Sequence, residues 1–94
     1  MNNYKVTNYS KERAKDLNVF IKKSQTRFYK LDIFDGDGRY ITSVGDFRYK
    51  DFPTYYEEEG QETALNKRNL YYLRHSKDIS KKGSRGWWAA MLLW

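Results

Sequence analysis

Between Lys67 and Arg85 the chain carries seven basic side chains against one acid, Asp78. They are Lys67, Arg68, Arg74, Lys77, Lys81, Lys82 and Arg85. Cations at this density can neutralise the phosphates of a nucleic acid. Within the stretch, Lys81-Lys82-Gly83-Ser84-Arg85-Gly86 adds two glycines, whose backbone N–H groups can approach an anion closely. Ser84 is also placed to cap a following helix. If one helix ran through the stretch, Lys67, Arg74 and Lys81, spaced by seven, would line one face. Tyr71, Tyr72, Trp87 and Trp88 flank the cations and could stack on bases if exposed. Buried, they would simply be core. The candidate nucleic-acid or anion-binding residues are therefore Arg68, Arg74, His75, Lys77, Lys81, Lys82, Ser84 and Arg85, with Tyr72, His75 and Ser84 adding hydrogen bonds. The competing reading is a solvated basic helix face. The loop lacks the Gly-x-x-x-x-Gly-Lys-Ser/Thr spacing of a nucleotide-binding P-loop.

Three other groupings invite chemistry. Asp35-Gly36-Asp37-Gly38 suggests a calcium loop, but with Gly38 at position six of an EF-hand, Ile33 and Val44 fall on ligand positions one and twelve. Neither side chain can ligate, so a hairpin turn is the expectation. His75 is the sole histidine and there is no cysteine, which leaves zinc without its usual ligands. On a helix His75 and Asp78 share a face and could pair, yet a pair beside Ser76 is no triad. Glu57, Glu58, Glu59 and Glu62 form an acidic patch, but consecutive glutamates fan over different helix faces and do not converge. No metal and no cofactor is expected, and the protein is expected to act by binding rather than catalysis.

With 94 residues and a net charge of +6, the chain fits one small domain with an acidic partner. The core must be built largely from rings, since 18% of the residues are aromatic and no disulfide can form. The missing cysteines fit a reducing compartment. No apolar run follows the first five residues, so no signal peptide is expected. The longest apolar run, Trp87 to Trp94, is too short to span a bilayer, and a soluble protein is expected.

Several elements must position these residues. Ser10 is placed to cap a short helix through Leu17, and Val19 to Ile21 reads as a short strand. Phe28 to Phe34 is a strand with Tyr29, Leu31 and Ile33 on one face and Lys30 and Asp32 on the other. After the Asp35–Gly38 turn, where either glycine can take a positive φ, Tyr40 to Val44 returns and Gly45 ends it. Phe47 to Pro53 is a loop. Thr54 to Glu59 is a short helix stopped by Gly60. Gln61 to Lys77 is the main helix, with Leu65, Tyr72 and Leu73 on one side and Ala64, Arg68, Tyr71 and His75 on an adjacent stripe. Trp87 to Trp94 is a buried terminal helix or strand. The fold class is α+β: a small single domain over 1–94, with a hairpin or three-stranded sheet packed on the main helix and the aromatic terminal segment. The expected core is Leu31, Ile33, Ile41, Val44, Leu65, Leu73, Leu92 and Trp94.

A string of landmarks spans the second part of the chain. It runs Ser43-Val44-Gly45, Tyr49-Lys50-Asp51-Phe52-Pro53-Thr54-Tyr55, Gly60, Arg68, Tyr71, Arg74-His75, Lys77-Asp78, Lys82-Gly83-Ser84, Gly86 and Leu93-Trp94. It resembles a family of short uncharacterised proteins encoded by large double-stranded DNA viruses. The resemblance covers residues 28–94 and leaves 1–27 as an N-terminal extension. Trp87-Trp88 depart from the Tyr-like aromatics of the pattern. The resemblance implies a viral or phage source, hence genome handling or virion structure. A virus-encoded nucleic-acid-binding protein, contacting DNA rather than RNA, is the first expectation. A virion or minor capsid protein is the second, its acidic and basic patches mating between copies or with a capsid protein. An inhibitor of a host protein is the third. All three place the protein in a virion or inside the host cell, not secreted, and admit a homo-oligomer.

Overall fold

The computed structural model describes residues 4–94. The very start of the chain, where no signal peptide was expected, lies in part outside the described residues. Among those residues the fold is α+β, with five helices and one antiparallel sheet of three strands in the order β1-β2-β3. The chain divides into two compact units, Met1–Arg48 and Tyr49–Trp94.

The first unit opens with helix α1, Asn8–Asp16. Its cap is Thr7, whose Oγ1 accepts from the Ser10 backbone N–H at 3.1 Å. The expected cap at Ser10 is thus corrected. Ser10 sits one turn inside the helix and is fully buried, its hydroxyl accepting from that of Thr7. Both residues are competent caps three positions apart, and the earlier one gains nearly one extra turn of helix. Asn18, at φ 57°, ends the helix, and the next N–H, that of Val19, returns to the Ala14 carbonyl.

Strand β1 is Phe20–Lys23, β2 is Tyr29–Phe34 and β3 is Tyr40–Asp46. Their pairing sets Ile21 opposite Ile33 and Leu31 opposite Val44, so one face collects the fully buried Leu31, Ile33 and Val44. The alternation in β2 puts Lys30 and Asp32 on the opposite face, and both are buried too. Each has a partner that makes burial tolerable. The Lys30 ammonium lies 5.1 Å from the Tyr4 ring centre. The Ser43 hydroxyl donates to Asp32 Oδ1 at 2.6 Å, and the Gln25 N–H donates to Oδ2 at 3.2 Å.

The Asp35–Gly38 turn closes as expected. Asp35 Oδ1 accepts from the N–H groups of Asp37 and Arg39, both at 2.9 Å. Of the two glycines only Gly38 takes a positive φ, 85°. Strand β3 runs through Gly45 to Asp46, past the expected end. Ile33 pairs with Thr42 while Phe34 pairs with Tyr40, so Ile41 is the extra residue of a bulge. Ile41, expected in the core, is therefore exposed.

The second unit opens with α2, Phe52–Glu59, capped by Asp51, whose carboxylate accepts from the Thr54 N–H at 3.1 Å. Pro53 occupies the first turn, where its missing N–H costs nothing. Gly60, at φ 93°, stops α2 and turns the chain into α3, Gln61–Arg74. The expected helix to Lys77 instead breaks at His75 and resumes as α4, Ser76–Ser80. Helix α5, Arg85–Leu93, closes the chain with Ala90, Leu92 and Leu93 buried.

The stripe that α3 turns inward is Ala64, Arg68, Tyr71 and His75. Ala64 is fully buried and presents no bulk. The Arg68 guanidinium lies 4.3 Å from the Phe52 ring centre. Tyr71 stacks on Trp94 with centres 4.5 Å apart and planes 11° from parallel, and His75 lies 4.4 Å beyond on Tyr71. Leu65 and Leu73, expected in the core, are exposed, Leu73 by 75%. Flat groups fill this contact, and the branched side chains are rotated out.

Candidate functional site

The basic segment folds into a helix–turn–helix corner of α4 and α5. Ser84 is its fastener. Its hydroxyl donates to the Asp78 carbonyl at 2.9 Å and accepts from the Trp87 N–H at 3.1 Å. The expected cap is thus confirmed, but this hydroxyl is engaged within the fold. Gly83, at φ 85°, makes the turn, and the Ser84 N–H returns to the Lys81 carbonyl at 3.1 Å. Gly86 lets the helices approach: a Cβ there would collide with Asp78 Cβ. Trp87 and Trp88 are half-buried and meet edge to face at 4.9 Å.

The eight sequence-derived site residues separate into two groups. Lys77, Lys81, Lys82 and Arg85 are exposed around the corner. Among the described residues, no carboxylate lies within ion-pair distance of Lys77, Lys81 or Lys82. Lys81, Lys82 and Arg85 flank Ser84, the cap at the N-terminal, positive end of α5. The others face different tasks. Arg74 is exposed at the end of α3, beyond the break. Arg68 is held on Phe52, and Ser84 is the cap. His75 bridges the broken helices, its Nδ1 3.6 Å from Asp78 Oδ2. The His75–Asp78 pair that a shared helix face allowed is present. The single basic face through Lys67, Arg74 and Lys81 is not, because it required an unbroken helix. Lys67 instead lies over the Tyr55 ring at 5.6 Å.

The aromatic neighbours are structural at their centre. Burial, with smaller pushes from Tyr72 and Asp78, raises the Tyr71 hydroxyl to about 12, so it stays protonated at neutral pH. Tyr72 is half-buried with its ring edge-on to Tyr71.

The acidic patch contrasts with the basic corner. Lys50 binds Glu59 at 2.8 Å and Glu58 at 3.0 Å. The hydrogen bonds that Lys50 donates to those two carboxylates, Glu59 first, raise its ammonium above its ordinary value. Among the described residues no cluster of three or more His, Cys, Asp or Glu is arranged to hold a metal ion. No described helix is long and apolar enough to cross a membrane.

A second group of side chains, two of them exposed and one half-buried, escaped the sequence reading. Phe20, Phe34 and Tyr40 lie in one row across the three strands, since Phe20 pairs with Phe34 and Phe34 with Tyr40. They are 14 and 6 positions apart along the chain, and no local spacing connects them. Phe20 and Tyr40 are 60% and 59% exposed.

No protein-family model matches the chain, and no curated protein or solved structure matches it either.

Proposed function

We propose that this is a non-enzymatic, virus-encoded binding protein that contacts nucleic-acid phosphates, DNA in preference to RNA, through the α4–α5 corner. The observation that carries this reading is the contrast in charge pairing. Lys77, Lys81 and Lys82 have no carboxylate within reach among the described residues, whereas Glu58 and Glu59 are both engaged by Lys50. Unpaired cations beside a helix N-terminus suit a polyanion. The locked turn fixes their spacing before binding. A capsid contact between the acidic and basic patches would first have to displace Lys50, so the phosphate reading is the better supported. The viral source rests on the resemblance of residues 28–94.

Titration of a short DNA duplex and a matching single strand against salt tests this reading. Log affinity should fall linearly with log salt, at a slope of about −0.9 per phosphate neutralised on duplex. Lys81→Glu combined with Lys82→Glu should weaken binding to all sequences alike and flatten that slope by about two contacts. Salt-independent affinity, or a charge-reversed variant that binds like wild type, would reduce the corner to a solvated surface.

A further inference from the structure

The row of Phe20, Phe34 and Tyr40 is organised in ways a chance cluster of surface rings would not be. Phe34 and Tyr40 meet edge to face, with centres 6.0 Å apart and planes at 69°. They therefore present separate π-faces. The Lys22 ammonium lies 5.5 Å from the Phe34 ring centre, from the same sheet face. Beside the aromatic row runs a polar one, Lys22, Asp32 and Ser43, set by the same pairing.

That polar row holds Tyr40 in place. Its hydroxyl lies 2.7 Å from Ser43 Oγ. Ser43 has already donated its proton to Asp32, so Tyr40 is the donor. The ring is thus tethered through a chain of hydrogen bonds to a buried carboxylate, although 59% of the residue is exposed. The far end of this face is different. There the Tyr4 ring lies on Lys30. Phe28 and Phe47 are exposed as well, but they lie outside the row that the pairing assembles.

Charge indicates what the open end suits. Residues 1–48 hold ten Lys and Arg against six Asp and Glu. Three of the six acids are engaged internally: Asp32 by Ser43 and Gln25, Asp35 by its own turn, and Asp46 by Arg48 at 2.7 Å. Edge strand β1 carries Lys22 and Lys23, both exposed, and no acid. Exposed, fixed rings interleaved with cations are what an unpaired strand of nucleic acid requires. Its bases stack on the rings, and its phosphates follow the lysines. A duplex cannot use the rings, because its bases are already stacked on each other.

We infer that the sheet face bearing Phe20, Phe34 and Tyr40 is a stacking platform for single-stranded nucleic acid, with Lys22 as its phosphate contact. The platform lies in a different part of the chain from the α4–α5 corner and does not depend on it.

Fluorescence anisotropy with labelled oligothymidylate and oligouridylate of about ten nucleotides, within the usual reach of one such surface, tests the inference. A duplex of equal length is the control. Phe20→Ala and Tyr40→Ala should each weaken single-strand binding by roughly 5- to 150-fold, the value of one base stacked on one ring. Both should leave duplex binding and the salt slope unchanged. Tyr40→Phe, which keeps the ring, should retain most of the affinity. Matched circular dichroism spectra and melting temperatures would confirm that the variants fold. If Lys81→Glu with Lys82→Glu proves inert while the ring variants fail on single strands, the platform stands and the corner does not. Ring variants that bind single strands like wild type would overturn the platform whatever the corner does. So would a wild-type protein that binds neither oligonucleotide.

Discussion

Strand β2 buries a lysine and an aspartate, whereas helix α3 leaves Leu65, Leu70 and Leu73 exposed. Side-chain polarity alone would reverse both. In β2 the polar groups come with fixed partners, Tyr4 for Lys30 and Ser43 with Gln25 for Asp32, so burial leaves little unsatisfied. In α3 the inner contact is a stack of planar groups running from His75 through Tyr71 to Trp94, with Ala64 leaving room beside it. Leucine has no place in that stack. Position in a small domain is decided by whether a group finds a partner of the right shape and polarity.

The sharpest test of this contrast compares a β2 residue with an α3 residue of similar size. Ile33→Ala should cost about 2–5 kcal/mol, because Ile33 is wholly buried at the centre of the sheet. Urea unfolding monitored by circular dichroism would measure it. A loss no greater than that of a surface leucine would mean the sheet face is not core.

Asp32 should come next. Asp32→Ala would leave the Ser43 hydroxyl and the Gln25 N–H without their acceptor, at a cost of about 1–3 kcal/mol. Its charge can be separated from its shape by pH. Burial pushes the Asp32 carboxyl up, but hydrogen bonds from Ser43, Ser24 and Gln25 outweigh it and hold the group below its ordinary value of 3.8. The native state therefore binds fewer protons than the unfolded chain in this window. The carboxylate's contribution is complete above the unfolded value and is lost as pH falls through the lower, folded one. The stability gap between wild type and Asp32→Asn should be constant near neutrality and close below about pH 4. A gap that persists unchanged into strong acid would show that the carboxylate's charge contributes nothing.

The smallest effect belongs to α3. Leu73→Glu should change stability by less than about 0.5 kcal/mol, since Leu73 is 75% exposed. A large loss would show that this helix face is covered in solution.

Local signals accounted for much of the fold. The Asp35–Gly38 turn, the stop at Gly60 and the cap at Ser84 each depend on residues within four positions of one another, and each lies where its chemistry indicated. The missed features depend on pairings across the chain. Nothing between Arg74 and Asp78 is a helix breaker, and α3 ends where His75 meets Tyr71 and Asp78. That break removed the continuous basic face and reduced the expected site to the α4–α5 corner. The bulge at Ile41 likewise carries no glycine or proline to mark it. Without the register it creates, the row of Phe20, Phe34 and Tyr40 could not be assembled from the sequence.

That bulge has a consequence for how the protein can change by descent. Successive residues of a strand point to opposite sides. The bulge absorbs the extra residue, Ile41, and so keeps Tyr40 on the side occupied by Phe34. Loss of Ile41 itself would leave Tyr40 next to Thr42, still opposite Phe34 and on the same side. The hairpin can therefore shed that one residue and keep the ring where it is. In a lineage that keeps the ring on this side, a single deletion should be tolerated at the bulge and rarely between Thr42 and Val44, where it would turn one side of the strand over.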